Sequence, residues 1–251
     1  MSFTFSHPAV VLPLLALPKK CRSGTGLVIG SMAPDFEKFL RMSEHDPHSH
    51  TWWGIFYFNL PLGLLLSFLF HLVVRDPLLQ NLPAFLRMRL LKYTAFDWAA
   101  YFKKNYVVVI FSILVGTFSH LVLDILTHSP GHRDELLPFV ELGTDTLTKP
   151  ISSRMAGLWR QSIVSLVGLL VLMWFIVQLP KQRELPGNKR GESTYWLVMV
   201  VVMAAVVGIR SQLGEGIKRD PYHPIIVLIS AGLISLVVSP VLLGIRHHRK
   251  Q

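Results

Sequence analysis

The chain has 251 residues, of which 51% are hydrophobic and 16% charged, and this composition is typical of a polytopic membrane protein and excludes an ordinary soluble domain. Its single cysteine, Cys21, excludes an internal disulfide and a cysteine-rich metal site. We attribute the net charge of +10 to cytoplasmic loops and lipid headgroups, because no basic run is interleaved with aromatic residues as in a nucleic-acid module. We therefore expect membrane lipid as a partner and no nucleic acid.

Five long apolar segments predict transmembrane helices. A helix needs about 20 residues to cross the hydrocarbon core of a bilayer. The first, second and fifth segments reach this length, the third is at the lower limit, and the fourth needs residues from its flanks. In chain order the segments are Trp52–Val74, Asn105–Thr127, Ser162–Leu179, Tyr195–Ile209 and Ile225–Ile245.

An apolar stretch, PAVVLPLLALP, precedes these segments at residues 8–18. It is too short to span a membrane, and it lacks the basic start and the cleavage site of a signal peptide, so we expect an interfacial or re-entrant segment. The sequence thus predicts an all-α fold, a polytopic membrane helical bundle of about five transmembrane helices. It forms a single membrane domain over residues 1–251, with the motifs in 1–140 and additional transmembrane helices in 141–251.

The distribution of positive residues predicts the orientation of the chain. The connections 75–104 and 180–193, with the C-terminal RHHRK, carry thirteen lysines and arginines, whereas the opposite side carries twelve in twice the length. Positive residues accumulate in cytoplasmic loops. We therefore expect the C-terminus to lie in the cytoplasm.

The stretch FSHLVLDILTHSPGH, residues 118–132, places His120, Asp124 and His128 at the end of an apolar run. Residues four apart lie on one face of a helix, one turn above another, so these side chains form a polar stripe about 12 Å long. A charged side chain at mid-membrane costs about 2.5–3.5 kcal/mol. The stripe must therefore face the interior of a helical bundle.

The side chains of this stripe are also metal ligands by type. Imidazole nitrogen and carboxylate oxygen bind Zn²⁺ and similar divalent ions where thiolate is absent. One ion cannot easily contact all three residues of a 12 Å stripe, whereas two neighbouring ions could. The alternative is that the three groups only form hydrogen bonds between helices.

Further ligands are expected before Trp52, because the first helix starts on the membrane face to which the second returns. Side chains of the ligand types are dense there: His7, Asp35, Glu37, His45, Asp46, His48 and His50. For each of them a solvated loop residue is the alternative interpretation. That alternative applies to His45 and His48 in particular.

Three residues on the same face are candidates for contacting a substrate. Arg160 precedes the third helix, Arg210 follows the fourth and His223 precedes the fifth. Arginine near a metal would favour an anionic, phosphate-like substrate. The alternative is that both arginines only mark helix boundaries. Other polar residues on this face are His132, Asp134, Glu135 and Glu215.

The motifs FTFSHPA, GSMAPDFE, SHTWWG and SHLVLDILTHSPG resemble a bacterial family of uncharacterised integral membrane proteins. That family is related to inner-membrane metal-dependent hydrolases. The order of ligand types is also similar to that of the secreted zinc-dependent phospholipases C, which are all-helical, multi-zinc phosphodiesterases. The resemblance covers residues 1–140 and implies a location in the bacterial inner membrane. It implies metal-binding roles for His7, Asp35, His50, His120, Asp124 and His128.

These observations predict a membrane-embedded, metal-dependent hydrolase that acts on a lipidic or phosphate-ester substrate. The expected cofactor is a divalent metal, zinc, with one to three ions, and Asp35 or Glu37 is the expected general base. The alternative is a non-catalytic metal-binding membrane protein or a transporter. A transporter is disfavoured because the last three helices contain no second copy of the His/Asp stripe.

Overall fold

The computed structural model describes residues 4–127, 150–182, 189–213 and 223–244. In these ranges every regular element is helical and no strand occurs, which confirms the predicted all-α class. Five helices are long and apolar enough to cross a membrane, and each overlaps one of the five predicted segments. They are Ile55–Asn81, Trp98–Leu126, Gln161–Gln178, Gly191–Leu213 and His223–Leu242.

The elements before the first span are short. They are three α-helices, α1 (Pro8–Val11), α2 (Gly24–Gly30) and α3 (Phe36–Arg41), and three 3₁₀ turns, Thr4–Ser6, Leu12–Ala16 and Ala33–Asp35. The first span contains α4 (Leu60–Leu69) and α5 (Arg75–Asn81), preceded by the π-helical turns Ile55–Asn59 and Phe70–Val74. The remaining helices are α6 (Ala84–Leu90), α7 (Trp98–Thr127), α8 (Pro150–Gln178), α9 (Lys189–Leu213) and α10 (His223–Leu242).

The N-terminal apolar segment is helical over Thr4–Ala16 and is shorter than a membrane span. It is divided into short pieces, and a proline occupies the first turn of both α1 and the following 3₁₀ turn. Proline is tolerated in a first turn because its missing N–H has no helical acceptor there. The prolines therefore start new helical turns instead of extending one long helix.

Four of the five helices are longer than the apolar segments from which they were predicted, whereas the fifth ends at Leu242, before the predicted Ile245. The first span continues from Val74 to Asn81, and the fourth takes residues from both flanks, as its short predicted length requires. The second starts at Trp98, and its backbone departs from helical dihedral angles at Asn105, with φ −129° and ψ 24°. Apolarity ends at the first polar residue, whereas helical hydrogen bonding continues through polar residues, so a hydropathy pattern underestimates helix length.

The described residues pack as two compact units. The first comprises Met1–Phe36, Asp46–Leu65 and Asn105–Phe175. The second comprises Glu37–His45, Leu66–Lys104 and Ile176–Gln251. Of the six residues predicted to bind metal, the five that the structure describes all belong to the first unit, so that unit positions the candidate site.

Glycine allows α2 to approach α7 backbone to backbone within the first unit. A Cβ on Gly30 would collide with the backbone of Ile113, and one on Gly116 would lie 2.8 Å from the amide nitrogen of Ser31. Small residues permit such close helix contacts inside membranes. The close approach also brings the carbonyl of Gly30, at the end of α2, next to a donor on α7. The hydroxyl of Thr117 donates to this carbonyl at 3.3 Å.

A buried arginine is at the centre of a hydrogen-bond network in the second unit. Nε of Arg75 donates to the carboxylate of Asp76 at 2.6 Å, and Nη1 donates to Nδ1 of His71 at 3.0 Å. The guanidinium also donates to the carbonyl oxygens of Phe96 and Thr94, at 2.6 and 3.0 Å. A charged group within a membrane segment needs such partners. The network therefore fixes the chain that connects α6 to α7 against the first span.

Candidate metal centre

Five of the residues predicted to bind metal are buried together in the first unit. Their exposed fractions are between 1% and 6%. They come from four separate stretches of the chain, namely the N-terminal turn, the turn before α3, the loop before the first span and α7. They are His7, Asp35, His50, His120 and Asp124.

Helix α7 supplies two of these residues one turn apart. Nε2 of His120 lies 3.3 Å from Oδ2 of Asp124. The other ring nitrogen, Nδ1, lies 2.8 Å from the carbonyl oxygen of Ser31 at the end of α2. A carbonyl oxygen only accepts hydrogen bonds, so Nδ1 carries the proton and Nε2 is left with its lone pair. The close contact between α2 and α7 therefore fixes the tautomer of His120.

The N-terminal turn supplies His7, which lies between the first 3₁₀ turn and α1. Its ring stacks on that of His120, with centroids 4.1 Å apart and an interplanar angle of 19°. Its Nε2 lies 3.4 Å from Oδ1 of Asp124. The segment predicted to be interfacial or re-entrant thus contributes directly to the cluster on α7.

The loop before the first span supplies His50. Its Nε2 lies 3.4 Å from Oδ2 of Asp124 and 3.8 Å from Oδ1 of Asp35. Its Nδ1 lies 2.6 Å from Oδ2 of Asp46, four residues earlier in the same loop. The ring therefore has one nitrogen directed at the cluster and the other directed at a carboxylate outside it.

The turn before α3 supplies Asp35. The hydroxyl of Thr4 donates a hydrogen bond to its Oδ2 at 2.6 Å. Its Oδ1 lies 3.8 Å from Nε2 of His50 and 3.9 Å from Nε2 of His120. The hydroxyl thus holds one carboxylate oxygen while the other is directed at the histidines.

The five side chains form two overlapping groups that could each hold an ion. In each group the three ligand atoms lie within 4.8 Å of one another. The first triad is His7, Asp35 and His120, and the second triad is His50, His120 and Asp124. His120 belongs to both, so its imidazole is common to any ion bound here.

The distances between ligand atoms fit a metal ion. Imidazole nitrogen and carboxylate oxygen in the cluster are 3.3–3.9 Å apart. Tetrahedral zinc with bonds of about 2.0–2.2 Å separates its ligand atoms by about 3.3–3.6 Å. A direct charge-assisted hydrogen bond would be shorter, about 2.7–2.9 Å. The two buried carboxylates also carry two negative charges, which a divalent cation would balance. The donor set therefore fits a divalent ion.

Glu37, the other predicted general base, is placed differently. It belongs to the second unit and to neither triad, and its Oε1 accepts a hydrogen bond from Nε of Arg41 at 2.9 Å. Residues two apart on a helical turn do not share a face, so Glu37 does not follow the direction of Asp35. Its catalytic role stays a prediction.

The remaining predicted site residues stay predictions as well. His128 lies outside the described residues, and Arg160 lies on α8 at a position whose side chain is not described. Arg210 lies on α9 and the buried His223 begins α10, both in the second unit. The packing of the first unit therefore does not test a substrate role for Arg210 or His223.

The structure shows groups that contact the cluster and that the sequence did not identify as contacts. Thr4 and Ser31 contact the cluster through a hydroxyl and a backbone carbonyl, and neither group has a sequence pattern that marks it. The sequence identified Asp46 only as one of several histidines and carboxylates in the loop before the first span. Its spacing of four residues from His50 was the pattern that could have indicated their contact. His45 and His48 are exposed, as expected for loop residues.

The apolar spans and the described helices define an integral membrane protein of the all-α class, whose first unit contains a buried cluster of histidine and aspartate. Residues 1–241 match the family described as "Domain of unknown function (DUF4184)", and the chain belongs to this family. No curated protein and no solved structure matches the chain. The family match extends past residues 1–140, to which the motifs of the resemblance are confined. A relationship to metal-dependent hydrolases or to phospholipases C stays a prediction.

Proposed function

We propose that this protein is a membrane-embedded, metal-dependent hydrolase whose divalent ion, zinc, takes its ligands from among the five clustered residues. The observation that supports this most strongly is the position of Asp124. Its two carboxylate oxygens lie 3.3–3.4 Å from Nε2 of three different histidines, which come from three separate stretches of the chain. Convergence of three imidazoles on one buried carboxylate is the arrangement that a bound cation favours.

The number of ligands in each triad supports a catalytic role. Catalytic zinc sites use three protein ligands and keep one position for water or substrate, whereas structural sites are closed by four. A divalent ion bound in this way supplies Lewis-acid chemistry, because it lowers the pKa of water toward about 7 and stabilises negative charge on an attacked oxygen. Within the chain, Asp35 is the base that we propose for the proton, since its position is held by Thr4.

Exposed aromatic side chains close in sequence to two of the clustered histidines support a lipidic substrate. Trp53 is 79% exposed and follows His50 by three residues, and Phe118, which precedes His120 by two, is 49% exposed. The ring of Trp52 lies 6.2 Å from that of Phe118. Tryptophan, here Trp52 and Trp53, is enriched at the level of lipid headgroups because its ring is amphipathic. We therefore propose a substrate with a phosphate-ester headgroup, a location in the bacterial inner membrane and a cytoplasmic C-terminus.

A second candidate function is favoured by the burial of the ligands. The five side chains have exposed fractions of only 1–6%. A site that is fully enclosed by its ligands is typical of structural zinc. The second candidate is therefore a non-catalytic metal-binding membrane protein, or a transporter that uses the same ligands as a transit site.

Hydrolysis of defined lipids distinguishes the two candidates. Purified protein in detergent would be assayed on phosphodiester and phosphomonoester lipids as isolated, after chelation and after zinc is restored. The hydrolase predicts turnover that is lost on chelation, recovered with zinc and lost in Asp35→Asn. Glu44→Gln, which removes one carboxylate charge at an exposed position, is the matched control and should keep wild-type turnover. Bound zinc without turnover on either class of ester would favour the second candidate.

A further inference from the structure

The loop before the first span contains a carboxylate that lies outside both triads. Oδ2 of Asp46 lies 2.6 Å from Nδ1 of His50, and the hydroxyl of Ser49 lies 3.0 Å from the same nitrogen. The side chain of Asp46 is 19% exposed, whereas that of His50 is 6% exposed. Asp46 thus contacts the cluster through the histidine.

This contact has a direct consequence for metal binding. An imidazole binds an ion through the nitrogen that carries no proton, and the hydrogen bond at its other nitrogen decides which one that is. A negatively charged carboxylate oxygen 2.6 Å from Nδ1 favours a proton on that nitrogen and makes Nε2 a more basic ligand. Nε2 of His50 is the nitrogen directed at Asp124, at 3.4 Å.

The backbone of this loop is held by a separate contact. Nδ2 of Asn59, which is fully buried in the first π-helical turn, donates to the carbonyl oxygen of Ser49 at 2.7 Å. This bond fixes the residue immediately before His50 without using Asp46. Removing the charge of Asp46 should therefore leave the loop in place while it changes the imidazole.

The other ligands with a described outer contact are supported differently. His120 donates to a backbone carbonyl, that of Ser31, and Asp35 accepts from a hydroxyl, that of Thr4. Neither partner carries a charge. Of these three contacts, the one made by Asp46 therefore involves a charged partner. An Asp46→Asn substitution removes that charge with almost no change in the shape of the side chain.

We propose that Asp46 is a positioning residue that fixes the tautomer of His50 and raises its affinity for the bound ion, so that Asp46–His50–metal forms a carboxylate–histidine–metal relay. This inference rests on the proposed metal site and names the group that tunes it. It assigns no contact between Asp46 and a substrate or the ion.

The test uses full-length protein in detergent and measures affinity for Zn²⁺ by competition with a chelator, together with the visible absorption bands of bound Co²⁺. Asp46→Asn should weaken zinc binding about 10- to 100-fold and shift the Co²⁺ bands. Asp46→Glu, which restores the carboxylate, should recover most of the affinity. His48→Ala is the matched control, because this neighbouring exposed histidine contacts Tyr57 and belongs to neither triad.

Each outcome decides the proposal. If Asp46→Asn binds zinc as tightly as the wild type and gives the same Co²⁺ bands, Asp46 does not position His50. If Asp46→Asn and Asp46→Glu lose affinity equally and both unfold at a lower temperature without metal, the role of Asp46 is only structural and the proposal is wrong. If the wild type itself binds neither ion, the metal site fails and the inference fails with it.

Discussion

Nε2 of His7 lies 3.4 Å from Oδ1 of Asp124, although 117 residues separate them in the chain. The contact joins the N-terminal turn to α7 within the first unit. It places a residue from an apolar segment too short to span a membrane against a carboxylate in the second span. The N-terminal segment is therefore part of the candidate site.

The two triads predict unequal effects for two histidine substitutions. His7 belongs to one triad and His120 to both. His7→Gln should therefore weaken zinc binding but leave a measurable site at His50, His120 and Asp124. His120→Gln should remove binding altogether. Both effects are measured by zinc titration of variants that elute like the wild type in size-exclusion chromatography. An equal loss of zinc affinity in the two variants would contradict the shared role of His120.

Gly116 tests the close contact between α2 and α7. A methyl group there would lie 2.8 Å from the amide nitrogen of Ser31 and would push α2 away. Gly116→Ala should destabilise the protein by about 1–3 kcal/mol, measured by thermal or denaturant unfolding. It should also weaken zinc binding, because Ser31 would lose its position beside His120.

Gly208 provides the control for that substitution. It also lies inside a long helix, α9, but a Cβ there would meet no atom within 4 Å. Gly208→Ala should leave stability unchanged or raise it by about 0.5–1 kcal/mol, because alanine favours helix. Similar destabilisation by both substitutions would mean that the contact between α2 and α7 is not the cause.

Arg75 tests the network of the second unit. Arg75→Lys keeps the charge but replaces a planar group with five donors by an ammonium with three, so several of the bonds to Asp76, His71 and the chain before α7 are lost. We expect a clear decrease in the unfolding temperature. Arg22→Lys is the control, because that half-buried arginine donates to the carbonyl oxygen of Leu17 and lies outside this network. Equal unfolding temperatures for the two variants would contradict a role for this network in stability.

The sequence predicted the spans and the ligand types because both depend on local composition. A run of about 20 apolar residues and an i, i+4 pair such as His120 and Asp124 are visible without a structure. Glu37 was predicted on its proximity to Asp35, yet it pairs with Arg41, because direction changes with each residue along a helical turn. The role of Glu37 as a general base therefore stays a prediction.

The groups that hold the clustered side chains in place could not be predicted from local sequence. The carbonyl of Ser31 meets His120 only because glycines let α2 and α7 approach closely, which is a property of two distant stretches together. The contact of Thr4 with Asp35 spans 31 residues and involves a hydroxyl common to many surface positions. Such contacts depend on tertiary packing, so no single window of sequence contains them.

The metal content of the purified protein tests the central claim most directly. Elemental analysis of wild type, Asp124→Asn and the exposed control His48→Ala would be compared per mole of chain. Asp124 is a member of the second triad only, but its carboxylate lies 3.3–3.4 Å from the Nε2 atoms of the histidines of both triads. Its substitution therefore removes one of the two buried negative charges that would balance an ion in either triad. We predict at least one equivalent of a divalent transition metal, zinc, in the wild type and in His48→Ala, and its loss in Asp124→Asn. Wild type and Asp124→Asn that are equally free of metal would contradict the account.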